Sequence, residues 1–317
     1  MRNGQTRWTR VRDSQGRRPV RPNFLIIGAP KAGTTALYHY LEQHPQIYMS
    51  PVKEPGFFDH GPERAAFRGP GDQQLYRTAV TNLASYEGLF GGVRDEVAVG
   101  EASAYYLYSP VAPERIRALI PAVKLIAVLR NPIDRAYSAF LHNLSDAREP
   151  LTDFAAALAE EDAGRRRGFS PFWHYKQGGF YYRHLAPYFE RFDRQQLRIF
   201  LYEDFAASSL PVLQDIFRFL EVDDRFVADI SLRYNVSGVP RIRPIQRLLN
   251  TGGPIKSLLK MTLPSGLRYQ VRTRLRARNL VKPPLPEAVR AKLAREYRED
   301  TLRLADLIGR DLSIWLE

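Results

Sequence analysis

Residues 28–35 form a glycine-rich turn with one lysine and two hydroxyl side chains, a combination that suits phosphate binding. The turn reads Gly-Ala-Pro-Lys-Ala-Gly-Thr-Thr and joins an apolar run at 24–28 to a helical pattern that continues through 36–41. A strand, a glycine-rich turn and a helix in this order direct backbone N–H groups and the positive end of a helix dipole at an anion. The residues expected to hold the phosphate are Lys31, Ala32, Gly33, Thr34 and Thr35.

The position of the lysine separates this turn from the P-loop of nucleoside triphosphatases. In the pattern G-x-x-x-x-G-K-[ST] the lysine follows the second glycine, whereas here Thr34 stands there and Lys31 lies on the arch of the turn. P-loop enzymes also hold Mg²⁺ with an acid on a later strand, but the apolar run at 124–129 ends in Arg130. Two fixed cations favour a polyanion bound without a metal ion. A P-loop kinase or NTPase is the alternative that this pattern disfavours.

The same segments resemble those of sulfotransferases that use 3′-phosphoadenosine 5′-phosphosulfate (PAPS), in particular the heparan-sulfate-type branch with its N- and 3-O-sulfotransferases. The turn resembles their 5′-phosphosulfate loop, and residues 129–138 resemble the 3′-phosphate motif R-[ND]-P-x-x-R-x-x-S. Residues 53–59 are similar to the K-E-P-x-F-F segment, and stretches at 100–107 and 178–204 follow in the same order. The resemblance covers roughly residues 23–245.

The resemblance implies that PAPS is the co-substrate, that 3′,5′-diphosphoadenosine (PAP) is the product, and that no metal is required. Lys31 would stabilise the charge that develops on the leaving 5′-phosphate during in-line transfer. Arg130 and Ser138 would hold the 3′-phosphate, since a guanidinium fork matches phosphate oxygens. A late basic segment with Arg241 and Arg243 would close over the same phosphate.

The acceptor must lose a proton, and the resemblance assigns the role of general base to Glu54, with His60 as the second candidate. Lys53 and Glu101 are expected to border the acceptor. Heparan 3-O-type enzymes carry Lys-Thr-Pro after the latter Glu, whereas residues 102–104 are Ala-Ser-Ala here, which removes a cation. The expected acceptor is a hydroxyl or amine of a glycan or sugar-containing molecule, and the alternative is a small-molecule or lipid alcohol.

Strand and helix patterns alternate along the chain and would position these residues at one edge of a sheet. The apolar runs lie at 24–28, 47–49, 97–100, 124–129 and 197–202. The helical patterns lie at 34–43, 113–120, 133–144, 151–164, 183–192, 210–220 and 285–317. Residues 164–180 read as a loop, and the last helical pattern has an apolar stripe made of Leu293, Tyr297, Leu302, Leu304, Leu307 and Ile308. The alternation predicts an α/β fold, a P-loop-like three-layer α/β/α arrangement with a central parallel sheet of about five strands. Ligands of such sheets bind at the carboxyl ends of the strands, where Gly28, Glu101 and Arg130 fall.

The length allows one large domain or two small ones, and the composition suffices for a substantial core. The chain has 317 residues, is 44% hydrophobic and has no cysteine, which excludes disulfide and zinc–thiolate chemistry. We expect a basic, disordered tail at 1–22 and one sulfotransferase domain at 23–317, whose helical C-terminal part begins near residue 251. No apolar run has the length of a signal peptide core or a membrane span. A bacterial, cytoplasmic enzyme is therefore expected.

A net charge of +13 raises nucleic-acid binding as a further alternative. Nearly all of the excess lies in residues 1–22 and 268–282, and no DNA- or RNA-binding motif occurs in the sequence. We therefore expect no nucleic-acid partner. The oligomeric state is not readable from the sequence.

Overall fold

The computed structural model describes residues 19–60, 67–75, 79–231, 239–240, 280–281 and 283–317. Most of the predicted tail, Arg241, Arg243 and residues 251–279 lie outside the described residues. The end of the predicted tail, residues 19–22, belongs to the fold, because Arg21 pairs with the Glu87 carboxylate at 2.7 Å.

A five-stranded parallel sheet forms the centre of the protein, as the sequence predicted. Its strands are β1 (Phe24–Gly28), β2 (Ile47–Met49), β3 (Ala98–Ala102), β4 (Lys124–Leu129) and β5 (Leu197–Leu201). They lie in the order β2-β3-β1-β4-β5, and every neighbouring pair is parallel. Since Phe24 of the central strand pairs with Gly100 on one side and Lys124 on the other, the carboxyl ends of β1, β3 and β4 reach the same edge.

Helices alternate with these strands. They are α1 (Thr34–Leu41), α2 (Phe57–His60), α3 (Asp72–Leu75), α4 (Leu83–Gly88), α5 (Ala112–Leu119), α6 (Pro132–Ser145), α7 (Phe154–Asp162), α8 (Tyr181–Phe189), α9 (Tyr202–Ala207), α10 (Ser209–Leu220) and α11 (Glu287–Ile308). β1 and β3 are buried along their whole length. Because alternate side chains of a strand point to opposite faces, both faces of the sheet centre are covered. A short antiparallel pair joins β6 (Val239–Pro240) to β7 (Leu280–Val281). Among the described residues, no helix has the length and apolar character that crossing a bilayer requires.

The apolar stripe predicted on the C-terminal helix was partly wrong. The sequence pattern grouped Leu302 with Leu293, Tyr297, Leu304, Leu307 and Ile308. Leu293, Tyr297 and Leu304 are buried, but Leu302 is 49% exposed and Thr301 is buried in its place. Positions 293, 297, 301 and 304 follow the i, i+4, i+8, i+11 spacing of one helix face, and residue 302 lies about 100° away from that face.

The predicted loop at 164–180 is held in place by two buried carboxylates. Glu149 accepts hydrogen bonds from Arg166 at 2.9 Å and from the Tyr175 hydroxyl at 2.7 Å. Asp72 accepts from the backbone and hydroxyl of Ser170 and from the indole of Trp173, at 2.7–3.0 Å. The segment is therefore fixed against the body of the protein although it has little regular structure.

Candidate active site

A cleft of about 310 Å³ opens at the carboxyl ends of β1, β3 and β4. Its size is at the lower end of the range for small-molecule sites, which begins at about 300 Å³. The predicted site residues on its wall are Lys31, Gly33, Thr34, Thr35, Lys53, Glu54, Arg130 and Ser138. The structure thus brings together residues that lie more than 100 positions apart in the sequence. Ala32 is buried within the turn behind this wall.

The turn between β1 and α1 presents the open start of a helix to the cleft. Gly33 is the N-cap of α1, has φ = 92°, and no side chain caps the first turn, which also contains no acidic residue. A Cβ on Gly33 would approach the Tyr202 ring to 3.2 Å, so glycine suits both the conformation and the space. Lys31 has φ = 72°, a left-handed conformation that costs a non-glycine residue about 1–2 kcal/mol. Strain of this kind concentrates at functional positions.

The Arg130 guanidinium is held beside this turn. Its Nη1 donates to the Lys31 carbonyl oxygen at 3.2 Å, and its Cζ lies 4.6 Å from the centre of the Tyr202 ring. The Tyr181 hydroxyl donates to the carbonyl oxygen of Arg130 at 2.9 Å. A guanidinium packed on an aromatic face and tethered to a carbonyl oxygen is preorganised for an anion.

Helix α6, which follows Arg130, is capped by its own sequence. The Asn131 side chain accepts hydrogen bonds from the backbone N–H groups of Ile133 and Asp134 at 3.0 and 3.2 Å. Pro132 occupies the first helical position, where its missing N–H has no cost. Ser138, two turns into this helix, is buried to 1% exposure at the cleft wall. The capped start of α6 contrasts with that of α1, which is open to the cleft.

The Glu54 carboxylate lies on the opposite wall with both oxygens engaged. Oε1 accepts from the Lys53 ammonium at 2.6 Å, and Oε2 accepts from the Ala104 N–H at 2.8 Å. The Glu54 N–H donates to the Ala102 carbonyl oxygen at 2.9 Å, and Glu54 also has a left-handed φ, 58°. Its side chain is 39% exposed. The carboxylate is therefore oriented by the backbone after β3 and remains open to the cleft.

The structure does not support the acceptor contact predicted for Glu101. This residue is fully buried behind the wall, and its Oε1 accepts from the hydroxyls of Tyr106 at 2.7 Å and Tyr86 at 3.3 Å. Burial raises the pKa of the Glu101 carboxyl to about 8. The prediction was wrong because the pattern placed Glu101 just after the strand, whereas β3 continues through Ala102. The side chain of His60, the second candidate for the base, lies outside the described part of the chain.

Sequence reasoning missed several residues of the cleft wall. They include Asp59, Ser103, Tyr105, His142, Phe172 and Tyr202. Helical periodicity could have found His142, which lies four residues after Ser138 and therefore on the same face of α6. Phe172 carried no such signal. Its ring lies 6.1 Å from the Tyr105 ring and 5.7 Å from the His142 ring, centre to centre.

Comparison with known proteins shows the family to which this chain belongs. A profile of the family described as "Sulfotransferase domain" matches residues 21–235. Bifunctional heparan sulfate N-deacetylase/N-sulfotransferase 4 of Mus musculus is 27% identical over 307 residues. Bifunctional heparan sulfate N-deacetylase/N-sulfotransferase 1 of Caenorhabditis elegans is 28% identical over 309 residues. Each match covers 93% of this chain, which spans only 31% of the length of either relative.

A solved structure matches most of the chain. The crystal structure of a sulfotransferase from Alicyclobacillus acidocaldarius is 34% identical, has a TM-score of 0.74, and aligns over 94% of this chain and 100% of that one. The predicted α/β fold and the predicted sulfotransferase family are thereby confirmed. The chain belongs to the sulfotransferase family.

Proposed function

We propose that this enzyme holds PAPS between the β1–α1 turn and Arg130 and transfers the sulfuryl group to a sugar-containing acceptor, with Glu54 as general base. One observation carries the proposal: a single cleft has two cations and an open helix start on one wall and an oriented carboxylate on the other. The first wall suits a nucleotide with two phosphate groups, and the second suits an acceptor that must be deprotonated.

The donor is assigned to the wall with the cations. The backbone N–H groups of Gly33, Thr34 and Thr35 and the hydroxyls of the two threonines would bind the 5′-phosphosulfate. Arg130 and Ser138 would bind the 3′-phosphate, since both lie on the same cleft wall and the guanidinium is already fixed on Tyr202. These residues fit a phosphate-rich ligand because they line one cleft and none of them carries a carboxylate.

The reaction has one bond formed and one broken. The acceptor oxygen or nitrogen forms a bond to sulfur, the S–O bond to the 5′-phosphate breaks, and the acceptor proton passes to the Glu54 carboxylate. Lys31 would stabilise the negative charge that appears on the departing phosphate. Lys53 would orient Glu54 until an acceptor hydrogen bonds to it.

A sugar-containing acceptor is favoured by the relatives, whose names state heparan sulfate. The acceptor side of this cleft has the rings of Tyr105 and Phe172 on its wall, and such rings pack against the apolar faces of ring-shaped ligands. The same aromatic rings would also suit an apolar alcohol, so a small-molecule alcohol is the second candidate for the acceptor. A cytoplasmic location and the lack of a nucleic-acid partner stay predictions from the sequence.

The test is radiolabelled sulfuryl transfer from PAPS to de-N-sulfated heparan sulfate and to a panel of small alcohols. The proposal predicts a labelled sugar product with the wild-type enzyme, and its loss in Glu54→Gln. Glu299→Gln, on an exposed part of α11, is the matched control and should keep full activity. If the label is found only on small alcohols, the acceptor is a small alcohol and not a sugar. If Glu54→Gln keeps full activity, the assignment of Glu54 as general base is rejected.

A further inference from the structure

The buried carboxyl of Glu101 has no part in the proposed reaction, yet it lies directly behind the cleft wall. Two tyrosine hydroxyls donate to its Oε1, whereas its Oε2 has no hydrogen-bond partner among the described residues. An unpartnered buried carboxyl oxygen costs free energy. A protein that keeps such a group beside its active site calls for a functional explanation.

The same two tyrosines hold the segment that follows Glu54. The Tyr106 hydroxyl accepts a hydrogen bond from the Phe58 N–H at 3.4 Å while it donates to Glu101. The Tyr86 ring stacks on Phe57, with ring centres 4.3 Å apart and planes at 11°. Residues 57–58 are therefore connected to the Glu101 carboxyl through both tyrosines.

The residues that directly follow Glu101 hold Glu54 itself. Ala102 accepts the Glu54 N–H at 2.9 Å, and Ala104 donates its N–H to the Glu54 carboxylate at 2.8 Å. The Ser103 hydroxyl accepts the Gly56 N–H at 3.1 Å. The strained, left-handed backbone of Glu54 is thus fixed from the end of β3 on one side and through the tyrosines on the other.

We propose that Glu101, in its neutral form, is a positioning residue that fixes the segment 53–58 and so aims the Glu54 carboxylate into the cleft. The inference rests on the proposed role of Glu54 as the base. Ionisation of Glu101 would place a negative charge on a buried carboxylate whose Oε2 has no hydrogen-bond donor among the described residues. The two tyrosine hydroxyls would have to rearrange to solvate that charge, and the hydrogen bond to Phe58 would weaken with them.

The charges around Glu101 agree with a neutral carboxyl. Burial is the main cause that raises the pKa of the Glu101 carboxyl to about 8, and the nearby carboxylates of Glu54 and Asp59 add to the rise, while the hydroxyls of Tyr106 and Ser103 act in the opposite direction. Burial also raises the pKa of the Tyr86 and Tyr106 hydroxyls, so both stay donors.

Helix α5 adds a cation to the same surroundings. Arg115 on α5 donates to the Phe58 carbonyl oxygen at 3.2 Å, which holds the segment without contacting Glu101. Glu101 is therefore expected to stay neutral at pH 7 and to ionise near pH 8.

The test compares Glu101→Gln with the wild type. The amide matches the neutral carboxyl in shape and accepts from both tyrosines, but it does not ionise. We expect the wild-type kcat with labelled PAPS and de-N-sulfated heparan sulfate to fall about tenfold between pH 7 and pH 9, because about one in ten molecules keeps the proton one unit above the pKa. Glu101→Gln should show no such decline and should bind PAP at pH 7 within twofold of wild type. The control is Glu114→Gln, at an exposed position of α5, which should keep the wild-type dependence of kcat on pH.

The outcomes separate this inference from the proposed function. A Glu101→Gln profile that still declines like the wild type overturns the inference, and so does a twofold or smaller decline in the wild type itself. If Glu54→Gln keeps full turnover, the assignment of the base fails first and the inference fails with it. If the sugar probe is not sulfated, infrared spectroscopy decides: a protonated carboxyl band present at pH 7, lost above pH 8 and missing in Glu101→Gln supports the inference, and its absence at pH 7 overturns it.

Discussion

Replacement of Arg130 tests how the cleft distinguishes the 3′-phosphate of its donor. In the structure the guanidinium is tethered to the Lys31 carbonyl oxygen and packed on Tyr202, so little side-chain freedom remains to be lost on binding. Hydrogen bonds to charged groups contribute about 1.5–3 kcal/mol each. We therefore expect Arg130→Ala to raise the Kd of PAP by roughly 10- to 150-fold.

The assay is isothermal titration with two ligands, PAP and adenosine 5′-phosphate, which lacks the 3′-phosphate. Because Arg130 also touches the turn at Lys31, some loss is expected for both ligands, but the loss for adenosine 5′-phosphate should stay below about threefold. Arg130→Lys keeps the charge but loses the planar fork of the guanidinium. Its Kd for PAP should therefore lie between that of the wild type and that of Arg130→Ala. Equal weakening of both ligands by Arg130→Ala would refute the assignment of this residue to the 3′-phosphate.

Four further predictions follow from the same geometry. Lys31→Ala should lower kcat by about 10²–10³-fold with less than a tenfold change in the Kd of PAP; a large loss of PAP affinity with unchanged kcat would contradict its role at the leaving phosphate. Glu54→Gln should lower kcat by about 10²–10⁴-fold and leave PAP binding intact, as single-turnover kinetics and calorimetry can show. Folding raises the pKa of Glu101 from 4.5 to about 8. Between these pH values the Glu101 carboxyl is protonated in the folded state but not in the unfolded state, so the free energy of unfolding decreases as pH rises through that range. Denaturant titrations should show the wild type losing up to about 5 kcal/mol from pH 4.5 to 8 relative to Glu101→Gln, and parallel pH dependence of the two proteins would contradict the burial effect. Asp72→Ala removes the bonds that hold residues 164–180, so the KM for the acceptor should rise while the Kd of PAP stays constant; a change only in PAP binding would argue against an acceptor role for that segment.

Local patterns predicted much of the sheet. The bounds of β1, β2 and β4 match their apolar runs, because strands buried on both faces read as continuous hydrophobic segments. β3 runs from Ala98 to Ala102, one residue later than predicted at its start and two at its end. The pattern ended the strand before Glu101, since a buried carboxyl looks like a surface residue in the sequence.

Helix starts depended on caps that periodicity does not detect. The predicted helix at 151–164 begins at Phe154, because the Asp153 side chain accepts the Ala155 N–H at 2.9 Å and caps the first turn. Helix α6 likewise begins at Pro132 after its cap, Asn131. Both caps are visible as an Asp or Asn directly before the apolar pattern.

The donor wall of the cleft could be predicted, and so could Lys53 and Glu54 on the acceptor side, whereas the aromatic part of the acceptor wall could not. Lys31 and Arg130 follow strands whose ends must meet in a parallel sheet, so their proximity follows from topology. Phe172 reaches the cleft because its neighbours make buried contacts with Asp72 and Glu149 and because its own ring packs near Tyr105 and His142. Such contacts between distant segments leave no period or motif in the sequence.

The most direct test is a crystal structure of the enzyme with PAP, grown in the presence of a metal chelator. We expect the 5′-phosphate at the N–H groups that start α1 and beside the Lys31 ammonium, and the 3′-phosphate on Arg130 and Ser138. PAP bound outside this cleft, or bound there with its 3′-phosphate away from Arg130, would contradict the assignment of the donor site.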